Sequence, residues 1–181
     1  LTPSTMVPLG TDAPQFNLPN GEGEQHNLDQ LVKTNGLLVV FMSNHCPYVI
    51  HLAEGLAKMS RDIGDFNVGM VGISANDADA YPDDSPQKMV IESQQRGYQF
   101  PYLYDQSQQV AKAYDAACTP DFFLFDGNKK LVYRGQFDDS RPGNNIAVSG
   151  SYIYSALQAL KHKTPIDAAQ KPSVGCNIKW R

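Results

Sequence analysis

The residues of this chain with the clearest chemical potential surround one cysteine, Cys46. It lies five residues after the end of the apolar run 37–41 and directly before Pro47. Proline is preorganised for the first position of a helix, so Cys46 is predicted to stand at a helix N-terminus. The free backbone N–H groups and the dipole at that position favour a thiolate over a thiol. The sequence therefore predicts a reactive nucleophile, with a small buried apolar side chain as the alternative.

The neighbours of Cys46 are predicted to form the environment of its thiolate. They are Asn44 and His45 before it, Pro47 after it, and Ser43 three residues upstream. Ser43 occupies the position where a second cysteine would complete a C-x-x-C dithiol. Its hydroxyl either hydrogen-bonds the thiolate or is the inert replacement of a cysteine. An ordinary dithiol of this spacing is therefore excluded.

No metal site or other cofactor is predicted from the remaining titratable residues. His45 and His51 are six residues apart, a spacing that directs them to different parts of a helix. The acidic segment 77–84 lacks the spacing and the distal glutamate of an EF-hand, which favours a polar loop. Asp121 and Asp138 are predicted to be solvated charges at strand ends and in loops.

Composition places the chain among globular proteins. Its 181 residues are 41% hydrophobic and 19% charged, which predicts a single domain over 1–181 and no membrane-length apolar run. The net charge of −4 provides no basic surface, so neither nucleic acid nor membrane is a predicted partner. Three cysteines are too few for a disulfide scaffold and indicate thiols in a reducing compartment. A cytoplasmic location is predicted, with a periplasmic one left open because the sequence does not begin with Met.

Hydrophobic periodicity predicts an alternation of strands and helices that positions Cys46. The run 37–41 has the composition of a strand buried on both faces, and helical spacing follows from Pro47 to Gly64. Ser85 and Pro86 predict the cap and first position of a further helix, which extends to about Arg96. The other predicted elements are a hairpin and short helix before residue 33, strands at 68–74, 100–104, 121–125 and 130–135, and helices at 106–114 and 149–161. The tail 164–181 shows no clear periodicity.

Three motifs in sequence order resemble the thioredoxin-like superfamily, and more narrowly its alkyl-hydroperoxide-reductase/peroxiredoxin-like branch. They are G-x-x-A-P-x-F-x-L at 10–18, S-N-H-C-P-Y-V at 43–49 and T-P-D-F-F-L-F-D at 119–126. The segment G-C-N-I-K-W at 175–180 is similar to the tail of the same group. The resemblance covers nearly the whole chain. It implies an α/β thioredoxin-like fold, with a mixed central β-sheet flanked by helices and an N-terminal hairpin extension.

The resemblance also implies roles for site residues. Pro120 is the expected cis-proline facing Cys46, and Thr119 is its neighbour at the site. The group typically carries C-N-H-C, so Ser43 is a departure that argues against thioredoxin-type dithiol exchange. Peroxiredoxins carry Thr or Ser three residues before their peroxide-attacking cysteine, as Ser43 does here. The proline expected before that residue is replaced by Val39, and no arginine lies near the T-P segment in sequence.

Two further cysteines are candidates to resolve an intermediate on Cys46. Cys118 lies two residues before Pro120, so a thioredoxin-like fold brings it near the site. Its alternative role is that of a structural thiol in the loop. Cys176 belongs to the tail 164–181, which either folds back to the site or is held by apolar packing alone.

The predicted function is a thiol–disulfide oxidoreductase in which Cys46 attacks disulfides or peroxides. Its partners would be a disulfide-containing protein or a small thiol or peroxide, together with an external thiol reductant. Such a protein would contribute to cell redox homeostasis. The alternatives are a thioredoxin-fold binding module without dithiol chemistry and a one-cysteine, peroxiredoxin-like antioxidant protein. Fold alone does not decide among them.

Overall fold

Strands and helices alternate along most of the chain. The computed structural model describes residues 1–181. In chain order the elements are β1 (Thr2–Pro3), β2 (Asn17–Pro19), β3 (Gln25–Asn27), α1 (Leu28–Leu31), β4 (Gly36–Phe41), α2 (Pro47–Asp62), β5 (Val68–Ser74), α3 (Pro86–Arg96), β6 (Tyr102–Tyr104), α4 (Gln109–Ala113), β7 (Cys118–Thr119), β8 (Asp121–Phe125), β9 (Leu131–Arg134), α5 (Ser151–His162) and β10 (Val174–Asn177). Two 3-10 helices, Ile63–Phe66 and Pro82–Asp84, complete the set.

A five-stranded mixed sheet forms the centre of the protein, with the strand order β6-β5-β4-β8-β9. Strands β4, β5 and β6 are parallel, whereas β8 and β9 are antiparallel to their neighbours. Every residue of β4 and β5 is buried, as expected for strands covered on both faces. The predicted mixed sheet and its central strand are therefore confirmed.

The two faces of the sheet pack against different apolar layers. Alternate residues of β4 and β8, such as Leu38 and Phe122, pack with Leu56 of α2 and Leu157 of α5. The intervening residues, such as Phe123, pack on the opposite face with Leu28 and Tyr114. This alternation fixes which strand residues face α2, the helix that Cys46 precedes. None of the five α-helices is long and apolar enough to cross a membrane.

Local signals set the boundaries of the two long helices near the site. Cys46 is the N-cap of α2, and Pro47 is its first residue. Ser85 caps α3, and its Oγ accepts a hydrogen bond from the backbone N–H of Lys88 at 3.3 Å. Both helix starts agree with the sequence prediction.

The C-terminal tail contains a strand that periodicity did not predict. Strand β10 lies between β1 and β7 in a separate three-stranded antiparallel sheet. It has four residues, including Gly175, and is too short for an alternating pattern to be recognised. The tail is thereby held beside the segment that precedes Pro120.

The prediction that Asp121 and Asp138 are solvated is wrong, and Asp84, in the segment predicted to be a polar loop, is buried as well. Asp84, Asp121 and Asp138 are 0%, 0% and 2% exposed. Asp138 accepts hydrogen bonds from the backbone N–H groups of Ser149 and Gly150 and thereby holds the start of α5. Backbone and side-chain donors replace the lost water at Asp84 and Asp138, whereas Asp121 Oδ1 has no hydrogen-bond partner.

Candidate active site

The candidate site is built around Cys46, at the junction of β4 and α2. The Cys46 side chain is 1% exposed. Its Sγ lies 3.0 Å from Cys176 Sγ and 3.3 Å from the carbonyl oxygen of Thr119. The backbone N–H of Cys46 donates to Ser43 Oγ at 3.2 Å. The serine therefore holds the start of the helix by accepting a hydrogen bond within the turn.

The peptide bond between Thr119 and Pro120 is cis, as the resemblance implied. The carbonyl of Thr119 faces the Cys46 sulfur, so the T-P segment forms one wall of the site. The hydroxyl of Thr119 is buried and has no hydrogen-bond partner. It is a polar group at the site whose hydrogen-bonding capacity is unused.

Cys176 reaches the site because β10 pairs with β7. In that antiparallel register Cys176 is opposite Thr119, and directly opposed residues project from the same face of a sheet. Burial, followed by the hydrogen bond shared with Cys46, raises the pKa of Cys176 to about 11. Cys176 therefore holds its proton near neutral pH. Of the two arrangements left open for the tail, the structure shows the one that brings its thiol to Cys46.

Cys118 has a different position, although it is next to Thr119 in sequence. It is opposite Asn177 in the β7–β10 register, so its side chain projects from the other face. Its Sγ contacts the carbonyl oxygens of Pro120 and Ser173, at 3.6 and 4.0 Å. Burial, followed by the nearby Asp121 carboxylate, raises the pKa of Cys118. Cys118 Sγ therefore contacts backbone carbonyls, whereas the sulfur–sulfur contact of the site joins Cys46 and Cys176.

The residues immediately before Cys46 are held by a buried carboxylate, Asp84. The backbone N–H of Asn44 donates to Asp84 Oδ1 at 2.8 Å. His45 Nδ1 lies 2.7 Å from Asp84 Oδ2, without the geometry of a hydrogen bond. The His45 ring also stacks on Tyr81, with 5.9 Å between centroids. Segment 77–84, predicted to be a polar loop, thus supplies a buried anchor for the site.

The remaining candidates for cofactor or anion chemistry lie outside the site. No group of three or more His, Cys, Asp or Glu side chains is close enough together to hold a metal ion. His51 Nε2 lies 2.7 Å from Ser140 Oγ. Arg134 donates to the carbonyl oxygen of Val7 and to Gln170, away from Cys46. No guanidinium group forms a hydrogen bond within the candidate site.

We expect Gly175→Ala to separate Cys176 from Cys46. A Cβ at residue 175 would lie 1.9 Å from the carbonyl oxygen of Thr119, so β10 must move away from β7. Overpacking of this kind costs about 1–3 kcal/mol. Labelling of Cys46 by iodoacetamide, measured by mass spectrometry, should accelerate as the covering strand moves. Gly64→Ala is the matched control, because no atom lies within 4 Å of its added Cβ, and unchanged labelling in both variants would contradict the expectation.

Comparison with known proteins identifies the family. Residues 9–134 match the profile of the AhpC/TSA family. The chain belongs to this family. Proteins named thiol-disulfide oxidoreductase ResA from Geobacillus thermodenitrificans and Geobacillus kaustophilus are 29% and 28% identical to it over 138 residues. Each alignment covers 72% of this chain and 70% of the relative.

Solved structures extend the similarity to the full chain. A conserved protein from Geobacillus kaustophilus is 48% identical with a TM-score of 0.97, covering 99% of this chain and 96% of that one. A hypothetical protein from Sinorhizobium meliloti is 45% identical with a TM-score of 0.98, covering 100% and 99%. A peroxidoxin from Mycobacterium tuberculosis, at 17% identity and a TM-score of 0.63, shares the fold. These comparisons confirm the thioredoxin-like fold and the peroxiredoxin-like family that the motifs predicted.

Proposed function

We propose that the protein is a thiol–disulfide oxidoreductase whose redox pair is Cys46 and Cys176. One observation carries the proposal, namely the 3.0 Å separation of two sulfurs that are 130 residues apart in sequence. Thiols at this distance need little movement to form a disulfide. The ResA proteins, named as thiol-disulfide oxidoreductases, support the reaction class.

Cys46 is the attacking thiol in this proposal, and Cys176 resolves the intermediate. Cys46 stands at the N-terminus of the 16-residue helix α2, and helix N-termini stabilise nearby negative charge. Cys176 has a pKa raised to about 11 and so remains a thiol until the first exchange is complete. The two roles follow from the different environments of two adjacent sulfurs.

The reaction proceeds through two exchanges at sulfur. The Cys46 thiolate attacks one sulfur of a substrate disulfide, the substrate S–S bond breaks, and the departing sulfur takes a proton from solvent. Cys176 then loses its proton, attacks Cys46 Sγ and releases the second substrate sulfur as a thiol. The substrate gains two electrons and two protons, and the protein is left with a Cys46–Cys176 disulfide. An external thiol reverses these steps, so no bound cofactor is required.

The surrounding residues are assigned supporting roles. Ser43 holds the helix start through the N–H of Cys46, and the Thr119 carbonyl faces the reacting sulfur. The buried Thr119 hydroxyl has no hydrogen-bond partner, and Pro120 shapes the wall beside it. Asn44, His45 and Pro47 remain the proposed thiolate environment.

Peroxide reduction is less well supported than disulfide exchange by the same geometry. Charge develops along the O–O bond as it breaks, and preorganised donors at that point provide most of the rate enhancement. Arg134 is bound elsewhere, and the Ser43 hydroxyl accepts a hydrogen bond from the backbone N–H of Cys46. We propose disulfide-bonded proteins or small disulfides as substrates, with a cytoplasmic location and a role in redox homeostasis.

Oxidation of the reduced protein by glutathione disulfide tests the proposal. Peptide mapping without reductant should recover one intramolecular disulfide that joins the peptides containing Cys46 and Cys176. Cys118→Ser should give the same product, because Cys118 projects from the opposite face of β7. A disulfide that includes Cys118, or accumulation of glutathione on Cys46 with no intramolecular bond, would contradict the assignment. Peroxide reduction, the competing chemistry, is measured separately. The reduced protein is mixed with hydrogen peroxide, and its rate of oxidation is followed by stopped flow.

A further inference from the structure

Two buried polar side chains, Asn76 and Asp84, lie beside the candidate active site without taking part in the proposed exchange. They are 3% and 0% exposed. Asn76 Nδ2 donates to Asp84 Oδ2 at 2.8 Å, so the two side chains form one unit. Asn76 follows the end of β5, and Asp84 ends the 3-10 helix Pro82–Asp84. Neither residue belongs to the segments that carry the two sulfurs.

The first end of this unit binds the segment that carries Cys46. Asp84 Oδ1 accepts the backbone N–H of Asn44, two residues before the cysteine, at 2.8 Å. Asp84 Oδ2 contacts His45 Nδ1, in the residue adjacent to the cysteine, at 2.7 Å. Hydrogen bonds to a fully buried carboxylate are charge-assisted and hold their donors more firmly than neutral ones. The Asp84 carboxylate therefore fixes the turn between β4 and α2.

The second end binds the segment that carries Cys176. Asn76 Oδ1 accepts the backbone N–H of Lys179, three residues after that cysteine, at 2.8 Å. The carbonyl of Lys179 in turn accepts a hydrogen bond from the backbone N–H of Asp77 at 2.8 Å. The consecutive residues Asn76 and Asp77 therefore both bind Lys179 in the tail. The chain from Asn44 through Asp84 and Asn76 to Lys179 thus joins both halves of the site.

We propose that Asn76 and Asp84 are positioning residues that set the separation of the Cys46 and Cys176 sulfurs. The proposal rests on the proposed function, because it concerns the same pair of thiols. Two groups react fast within a protein when their geometry is held in advance. Loss of the unit frees the tail near Lys179 and lowers the effective concentration of Cys176 at Cys46. The first exchange, between Cys46 and an external disulfide, does not require the tail to be held.

The test is the equilibrium between the reduced protein and glutathione disulfide. In the forward direction Cys46 and Cys176 together lose two electrons and two protons, and one glutathione disulfide becomes two thiols. We expect Asn76→Ala to lower the equilibrium constant for the intramolecular disulfide about tenfold, the effect of one net hydrogen bond. For a two-electron couple this shifts the reduction potential by about 30 mV to less negative values. Mixed disulfide formation on Cys46 should be no slower than in the parent, because the tail that covers this thiol is held less firmly.

A control variant separates the positioning effect of Asn76 from a general loss of protein stability. Asn35→Ala removes a comparable hydrogen bond, from Asn35 Nδ2 to the carbonyl of Phe66 at 2.8 Å, at the opposite end of β4. It should lower the unfolding temperature without shifting the glutathione equilibrium. Asp84→Asn is a second variant of equal size and provides the same readout if Asn76→Ala does not fold.

The possible outcomes distinguish the two proposals. A parent protein that forms no Cys46–Cys176 disulfide would refute the proposed function, and the positioning role with it. A parent that forms the disulfide, together with folded Asn76 and Asp84 variants that retain its equilibrium constant, would refute the positioning role alone. Equal shifts in the Asn35 control and the Asn76 variant would also refute it.

Discussion

Cys46→Ser is expected to lower the rate of thiol–disulfide exchange by about a thousandfold or more, because a serine hydroxyl is not ionised near neutral pH and cannot replace the attacking thiolate. Reduction of insulin disulfides in the presence of an external thiol measures the effect. The unfolding temperature should change little by comparison, since Cys46 makes one sulfur contact with Cys176 and one with the Thr119 carbonyl.

Cys118→Ser is the matched control for the loss of a buried thiol. Cys118 is 0% exposed and Cys46 is 1% exposed, so both replacements put a hydroxyl in a buried position. Only the Cys46 replacement should abolish exchange. Comparable losses in both variants would show that Cys118 takes part in the chemistry. Exchange in Cys46→Ser near the parent rate would show that another cysteine is the attacking thiol, whereas no exchange by the parent itself would favour a binding module without redox function.

The free energy of unfolding is expected to fall as the pH rises from about 4 to 7, and Asp121 is the main reason. Burial raises the pKa of this carboxyl to about 7. Its pKa in the unfolded chain is about 3.9. Between those values the folded protein binds a proton that the unfolded chain does not, so stability is greatest at the acidic end. A difference of about three units corresponds to about 4 kcal/mol.

The environment of the Asp121 carboxyl explains why its pKa is raised. The backbone N–H of Ala117 donates to Oδ2 at 3.1 Å, whereas Oδ1 is buried without a partner. One hydrogen bond of this kind compensates only part of the cost of burying the charge. Burial also raises the pKa of Asp105, which adds to the trend in the same direction.

Chemical denaturation at several pH values between 4 and 8 measures the trend. Asp121→Asn removes the titrating group at nearly constant volume, so its stability should depend less steeply on pH over this interval. The parent should lose stability relative to the variant as the pH rises. Parallel curves for the two proteins would show that Asp121 is not the group responsible.

The sequence predicted those strands and helix starts that depend on neighbouring residues in the chain. Strand Val68–Ser74 agrees with its prediction, and the Ser85–Pro86 pair begins helix α3 where expected. The position of Cys46 at the start of α2 was also recognisable, because an apolar strand precedes it by a few residues and a proline follows it directly. The cis peptide before Pro120 was predicted from family motifs and not from physical properties of the residues alone.

The features that the sequence did not reveal depend on distant contacts. Strand Val174–Asn177 is defined by its pairing with β1 and β7, and four residues carry no periodic pattern. Asp84 resembles the other acidic residues of its loop until Asn44 and Asn76 are brought to it by the ends of two parallel strands. Proximity of Cys176 to Cys46 follows from the same topology. Asp121 was predicted to be solvated because its burial depends on segments that are far from it in sequence.

The place of β10 in the chain has a consequence for biosynthesis. Cys176 follows Cys46 by 130 residues, and the strand that carries it pairs with segments made much earlier. During translation Cys46, together with β4 and α2, leaves the ribosome well before Cys176 is made. A nascent chain therefore presents Cys46 without its partner sulfur and without the strand that covers it. Until the tail emerges, any disulfide on Cys46 is with another molecule or with Cys118, and protection of this thiol waits for the synthesis of β10.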